Sequence, residues 1–171
     1  RRYAVNGTPT DCVYLALNRL LTEPKPALVL SGVNRGSNIG EDVTYSGTIA
    51  AAMEAALLGV PAIAFSQVFE DGHPVKWATA EAWLARVVRR LLDAGWPKQV
   101  LINVNFPNLT AERVAGIRAS AQSLEEVGDL FVELVLVEQR LAAFVEVQPI
   151  DVPRHDDLQK LLGPLERGGL V

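Results

Sequence analysis

Cysteine is almost missing from this sequence. Cys12 is the only one in 171 residues, so no disulfide can close within the chain. A solitary thiol suits a reducing compartment, and a cytoplasmic setting is the expectation. No apolar run approaches the roughly 18 residues that a membrane-spanning helix requires, and no leader-like segment is visible, so no membrane span is expected. A basic excess is lacking too: 16 Lys and Arg stand against 20 Asp and Glu, a net charge of −4. That balance removes the electrostatic footprint of a nucleic-acid polymer or an anionic membrane as partner. It does not exclude a mononucleotide, because a local dipole or a metal ion can hold one phosphate whatever the global charge. Histidine is scarce as well. His73 and His155 sit in loop-like sequence with no partner at ligand or triad spacing, and structural or solvated roles are expected for both. No G-x-G-x-x-G follows a strand with an acid about 20 residues on, which argues against a dinucleotide-binding oxidoreductase domain.

What is present describes a folded α/β domain. Hydrophobic residues make up 49% of the chain and charged residues 21%, enough for a core and too few charges for disorder. The length fits one domain, 1–171. Thr8-Pro9-Thr10-Asp11 has the form of a helix start, with a hydroxyl cap, a first-turn proline and an acid at the third position. That helix is expected to run to Leu21 and to carry Cys12 as a small core residue, before Pro24 and Pro26 stop it. Residues 27–30 read as a buried strand and 47–58 as an Ala-rich helix closed by Gly59 and Pro61. Residues 62–65 form the next strand, Trp77 to Ala94 an amphipathic helix stopped by Gly95, and 100–104 another strand. Strands and helices alternating through short connections imply a Rossmann-like parallel or mixed sheet flanked by helices, in three α/β/α layers. Beyond Pro107 the pattern changes to a β-rich extension. Residues 109–116 read as a short connection, and the apolar run 130–137 as a strand or part of a helix beginning near Ser123. Residues 144–148 read as a half-exposed strand and 156–162 as a short final helix.

The segment 31–48, Ser-Gly-Val-Asn-Arg-Gly-Ser-Asn-Ile-Gly-Glu-Asp-Val-Thr-Tyr-Ser-Gly-Thr, holds four glycines, two asparagines and several hydroxyls, and almost nothing that packs a core. A loop of this kind at the carboxyl end of a parallel strand is where open α/β sheets bind ligands. Asn34 offers a neutral carbonyl oxygen of the type hard divalent cations take, or an amide that ties down the loop. Asn38, between Gly36 and Gly40, is either a left-handed turn residue or a loop ligand. Ser46, Gly47 and Thr48 open the Ala-rich helix; the serine can cap it, and the free N–H groups beside it can receive a phosphate. Arg35 could hold a phosphate in two-pronged fashion or brace the loop. Asn103 and Asn105 flank a strand end, where loop bracing is the expected role. Glu41 and Asp42 are expected to be solvated or to lie outside the direct contacts of a ligand.

Ser31–Asn34 followed by Arg35-Gly36, Asn38, Gly40 and Tyr45-Ser46-Gly47-Thr48 closely resembles the signature loop of the SurE family. Asn6-Gly7-Thr8-Pro9-Thr10-Asp11-Cys12-Val13, Leu58-Gly59-Val60-Pro61-Ala62-Ile63-Ala64 and Asn103-Val104-Asn105-Phe106-Pro107 are similar to further segments of that family, in family order. The likeness runs from about Tyr3 to Pro107. It implies a metal-dependent phosphomonoesterase that releases phosphate from nucleoside 5′- or 3′-monophosphates, with short polyphosphate as a further substrate. One divalent ion, Mg²⁺ or Mn²⁺, is implied, with Asn34 as a ligand and Ser46, Gly47, Thr48 and Asn38 toward the phosphate. The resemblance also implies an earlier strand ending in adjacent aspartates and a Ser-bearing loop that supply the remaining ligands. No catalytic residue is therefore named within this chain, and about 60 preceding residues, the size of one βαβ-plus-loop block, are expected. The pair Asp156-Asp157 does not substitute for them, since first-turn acids favoured by a helix dipole explain it. SurE-like proteins are dimers or tetramers, which makes 108–171 the expected oligomerisation arm. The alternative is a non-catalytic SurE-like remnant with at most weak phosphate binding.

Overall fold

In the computed structural model, residues 2–96, 100–120 and 131–138 are described. The first helix, α1 (Pro9–Leu15), starts as its sequence requires. The Thr8 side chain accepts from the Asp11 N–H, the Asp11 carboxylate accepts from the Thr8 N–H, and Pro9 fills the first turn. It passes directly into a π-helical turn, Ala16–Leu20. Strand β1 (Val29–Arg35) follows, then the short α2 (Asp42–Tyr45), α3 (Gly47–Leu57), β2 (Ala62–Gln67), α4 (Trp77–Ala94) and β3 (Leu101–Phe106). A 3₁₀ turn (Ala111–Arg113) leads into β4 (Val114–Ser120), and β5 (Phe131–Glu138) completes the described elements.

The five strands form one sheet in the order β1-β2-β3-β5-β4. The first four run parallel and β4 is antiparallel to β5, so the sheet is mixed. Two observations differ from the sequence expectation here. Residues 109–116 are not merely a connection, because β4 begins at Val114. The run 130–137 resolves in favour of a strand, and β5 lies inside the sheet between β3 and β4. An inner strand of a covered sheet is expected to be continuously apolar, so that run does not by itself call for an oligomer interface. Residues 144–148 and 156–162 lie outside the described residues.

Two apolar clusters sandwich the sheet. Alternation along a strand sends successive side chains to opposite faces. Ala62 and Ala64 of β2 and Leu101 of β3 join Leu17, Val43, Ile49, Ala52, Ala55 and Ala56 on the α3 face. Ile63 and Phe65 of β2 and Ile102, Val104 and Phe106 of β3 join Trp83, Val87 and Leu91 on the α4 face. Small residues on both partners let α3 lie close against the strands. Phe65 and Phe106 stack with ring centroids 5.8 Å apart, filling the wider α4 side.

Helix α1 sits outside this sandwich. Only Val13 on it packs against the α3 cluster, followed by Leu17 in the π turn, and no residue of α1 is buried. Cys12 is exposed, which corrects the expectation of a core thiol: it lies off the Val13–Leu17 stripe, the narrow line along which this peripheral helix touches the body.

Candidate functional site at the carboxyl rim of the sheet

The α3 face of the sheet changes character along its length. On β2 it reads Ala62, Ala64, Ser66, and on β3 Leu101, Asn103, Asn105: apolar at the amino ends and polar at the carboxyl ends. Ser66, Asn103 and Asn105 are nonetheless buried, so each must find a partner. They find it in the loop after β1. The Asn38 N–H donates to Asn105 Oδ1 at 2.9 Å, and the Asn38 carbonyl accepts from Asn103 Nδ2 at 2.7 Å and Asn105 Nδ2 at 3.2 Å. Asn38 Nδ2 in turn donates to Ser66 Oγ at 2.6 Å. Asn38 is only 3% exposed. Its backbone and its side-chain nitrogen are thus committed to holding the loop on the sheet, and Asn103 and Asn105 brace that loop.

Asn34 is placed differently. It lies within β1, opposite Ser66, rather than just after the strand. The strand pairing is irregular between Ser31 and Asn34, where Gly32 adopts φ 110°. A Cβ at Gly32 would collide with the Phe65 carbonyl oxygen and lie 3.3 Å from the Thr48 methyl group, so only glycine fits. The irregularity delivers Asn34 to the start of α3. Asn34 Nδ2 donates to the carbonyls of Gly36 at 3.0 Å and Arg35 at 3.4 Å. Two acceptors around one end fix the amide orientation and turn Oδ1 toward α3, where Thr48 Oγ1 stands 3.5 Å away.

The start of α3 is built by Ser46, which ends α2 with its N–H on the Val43 carbonyl and caps α3 by accepting from the Ile49 N–H at 3.2 Å. The next free amides are those of Gly47 and Thr48, and neither has a hydrogen-bond partner among the described residues. Pro9 of α1 sits against Gly47, where an added Cβ would be 3.1 Å from its Cγ. Glu41 and Asp42 are exposed, consistent with solvated acids.

Of the five sequence-nominated residues, the structure brings Asn34, Ser46, Gly47 and Thr48 together and puts Asn38 beneath the loop on the Ser66–Asn103–Asn105 network. Sequence reasoning missed Ser66 and Gln67. Gln67 is buried, with Nε2 donating to the carbonyls of Val68, Phe106 and Pro107 and its Oε1 without a partner. The one available signal was the Asn103-x-Asn105 spacing, which puts two amides on one strand face.

Asn34 Oδ1 is an oxygen of the type a hard cation takes: its amide nitrogen is satisfied by two carbonyls, and its one donor among the described residues is the Thr48 hydroxyl, at a long 3.5 Å. A full coordination sphere needs carboxylates as well, and the described residues hold no group of three His, Cys, Asp or Glu side chains able to bind a metal.

A glycine-rich loop after a parallel strand, braced from below and opening onto a capped helix start, places this chain in the class of open α/β proteins with a ligand-type crevice at the carboxyl rim of the sheet. Comparison with known proteins gives the family. The model described as "Survival protein SurE" matches residues 1–129, and the chain belongs to the SurE family. It is 59% identical over 133 residues to the "5'-nucleotidase SurE" of Paramagnetospirillum magneticum, covering 78% of this chain and 51% of that protein. With the protein of the same name from Parvibaculum lavamentivorans it shares 49% over 145 residues, 84% of this chain and 50% of the relative. The crystal structure of SurE protein from Aquifex aeolicus superposes with a TM-score of 0.61 at 31% identity, over 80% of this chain and 69% of that one. The chain thus spans about half the length of these curated relatives, and the family match extends past Pro107 to residue 129. Among the described residues no helix is long and apolar enough to cross a membrane.

Proposed function

We propose that this domain carries the phosphate- and metal-facing half of a 5′/3′-nucleotidase, hydrolysing nucleoside monophosphates to nucleoside and phosphate with one Mg²⁺ or Mn²⁺. The observation that carries this reading is the orientation of Asn34. Its nitrogen is held by two loop carbonyls and its oxygen is presented at the mouth of α3, beside two open amides. The bound ion would polarise a phosphoryl oxygen and activate water. This chain's own part is to position. Asn34 supplies one oxygen toward the ion, and Gly47 and Thr48 offer N–H groups, aided by the helix dipole, to the phosphoryl oxygens. The Thr48 hydroxyl donates to Asn34 Oδ1 and steadies it, Ser46 keeps the helix start in shape, and Asn38 holds the loop. The carboxylates that complete the sphere and assist the nucleophile come from outside the described residues. A dimer or tetramer and a cytoplasmic setting belong to the same proposal.

A second reading is favoured by the absence of a three-ligand metal group among the described residues: a SurE-like remnant with phosphate binding alone. Phosphate release from nucleoside monophosphates separates the two. A protein in which this domain is joined to the aspartate-bearing segment should be active with Mn²⁺ or Mg²⁺ and silent in chelator. Asn34→Ala should then lower activity about 100-fold or more, about 2.7 kcal/mol at the transition state, with the fold intact. The 171-residue chain alone should turn over negligibly. Undiminished activity in Asn34→Ala would sink the site assignment, and strong turnover by the 171-residue chain alone would overturn the placing of essential ligands elsewhere.

A further inference from the structure

Arg35 and Phe69 meet at the carboxyl rim of the sheet. Arg35 is the last residue of β1, and Phe69 lies two residues past the end of β2. The guanidinium carbon stands over the Phe69 ring, 4.3 Å from its centroid. Arg35 is exposed, and among the described residues no carboxylate pairs with it. Phe69 is half-buried and joins neither hydrophobic cluster. The other cation–π pair has the same 4.3 Å spacing but a different setting: Arg86 covers Trp83, one of the buried core residues of α4. There the cation shields a ring that the core already uses. At the rim, neither member of the pair is needed to fill the core.

The position relative to Asn34 is the second observation. Gly36 has φ 109°, and a Cβ built on it would lie 3.9 Å from Asn34 Nδ2 and 3.7 Å from the Phe69 ring edge. The Asn34 amide and the Phe69 ring edge therefore both lie within 4 Å of one point at Gly36. Alternation in β1 sends Asn34 toward α3 and Arg35 toward the opposite face, so the two side chains stand on either side of the rim rather than competing for one place. The outer plane of a guanidinium already seated on a ring is a surface on which nucleobases stack.

We propose that Arg35 and Phe69 form a stacking platform for the base of a nucleoside monophosphate whose phosphate lies at Asn34 and the start of α3. The proposal rests on the nucleotidase reading for the identity of the ligand. The platform contributes base-dependent affinity that is sequence-tolerant, since every base has a π face, while the phosphate contacts are the same for all nucleotides.

Equilibrium titration of the 171-residue chain with AMP, adenosine and ribose 5-phosphate tests it. AMP should bind about tenfold more tightly than ribose 5-phosphate, within the range of one base–aromatic stack. Arg35→Gln and Phe69→Leu should each remove most of that advantage and weaken adenosine by about fivefold or more, with ribose 5-phosphate unchanged. Arg35 is exposed, so its variant stays informative even where Phe69→Leu loses fold, which circular dichroism would reveal. Equal binding of AMP and ribose 5-phosphate overturns the platform. So does loss of both in parallel in Arg35→Gln, which would make Arg35 a phosphate clamp, and so does failure of both AMP and adenosine to bind. If ribose 5-phosphate does not bind and adenosine still binds in a Phe69-dependent way, the phosphate reading fails and the platform stands.

Discussion

Asn34, near the end of β1, and Asn38, in the loop that follows, are four positions apart, of one residue type, and do opposite things. Asn38 is sealed against the sheet, with its N–H, carbonyl and side-chain nitrogen all bonded to β2 and β3. Asn34 uses only its nitrogen for the loop, and its oxygen turns to the start of α3, where it accepts from the Thr48 hydroxyl at a long 3.5 Å. The difference lies in what stands beneath each. Under Asn38 the strands present Ser66, Asn103 and Asn105, which would be costly to bury without partners. Beside Asn34 stands a helix terminus whose first amides are open. An amide met by buried polar groups is committed to structure, and one beside open helix donors keeps its oxygen at the helix mouth. The loop is therefore a braced platform on one side and an open mouth on the other.

Gly32 joins the two regions, and changing it should break both. Gly32→Ala places a methyl group against the Phe65 carbonyl and Thr48 at a φ that alanine resists. A loss of about 3 kcal/mol or more is expected from strain and displacement together, read as a lower urea midpoint. If the variant matches the parent in stability, the tight seating of β1 against β2 is wrong.

Next in size is Asn105→Ala, which attacks only the sealed side. It removes the acceptor for the Asn38 N–H and one donor to its carbonyl, leaving a buried amide unpaired. A cost of about 2–3 kcal/mol is expected. Asn103→Ala should cost less, because the Asn38 carbonyl keeps the Asn105 donor. Denaturation midpoints in the reverse order would contradict the network.

Ser46→Ala probes the open side. The Ile49 N–H loses its cap, for about 1 kcal/mol. Asn34 and Thr48 should stay in place, so in the protein joined to the aspartate-bearing segment the proposed phosphate release should persist, with a raised KM where Ser46 also meets phosphate. A drop in kcat as large as that of Asn34→Ala would move Ser46 from shaping the helix start to the reaction itself.

Much of this was legible beforehand because apolar periodicity marks what the core needs. Trp77 and Ala94 were the bounds expected and found for α4, where Trp83, Val87 and Leu91 repeat at helical spacing. The strands were read too short at their carboxyl ends. β2 runs to Gln67 and β3 to Phe106, because Ser66, Gln67 and Asn105 look like loop residues until their partners are known. Those partners are remote: Asn38 and Asn105 are 67 positions apart. Local sequence shows the amides and cannot show the pairing. β4 escaped for another reason, since Val-Ala-Gly-Ile-Arg-Ala-Ser carries too little alternation to announce a strand. Asn34 was legible as a residue worth naming, but its orientation depends on the Gly32 irregularity and on α3.

The smallest effect lies at the edge of the comparison, where α1 lays Pro9 against Gly47. The Asp11 carboxylate accepts from the Thr8 N–H at 2.7 Å and from the Thr8 hydroxyl at 2.8 Å. The backbone bond first and the hydroxyl bond second hold its pKa below the ordinary 3.8. A carboxyl with a depressed folded pKa stabilises the folded state fully above its unfolded value, and loses that contribution as pH falls through the folded one. The α1 start should therefore be intact at neutral pH and fray only as pH drops below about 3.8. Because Asp11 is fully exposed, the effect on global unfolding is small. Melting of the parent and Asp11→Asn from pH 7 down to pH 2.5 measures it, since the variant keeps an amide where the carboxylate was. The gap between the two should be constant from neutral pH to about pH 4 and should close below that. A gap that widens as the medium is acidified would mean that Asp11 does not hold the helix start as a carboxylate, and Pro9 would then reach Gly47 without the capping box.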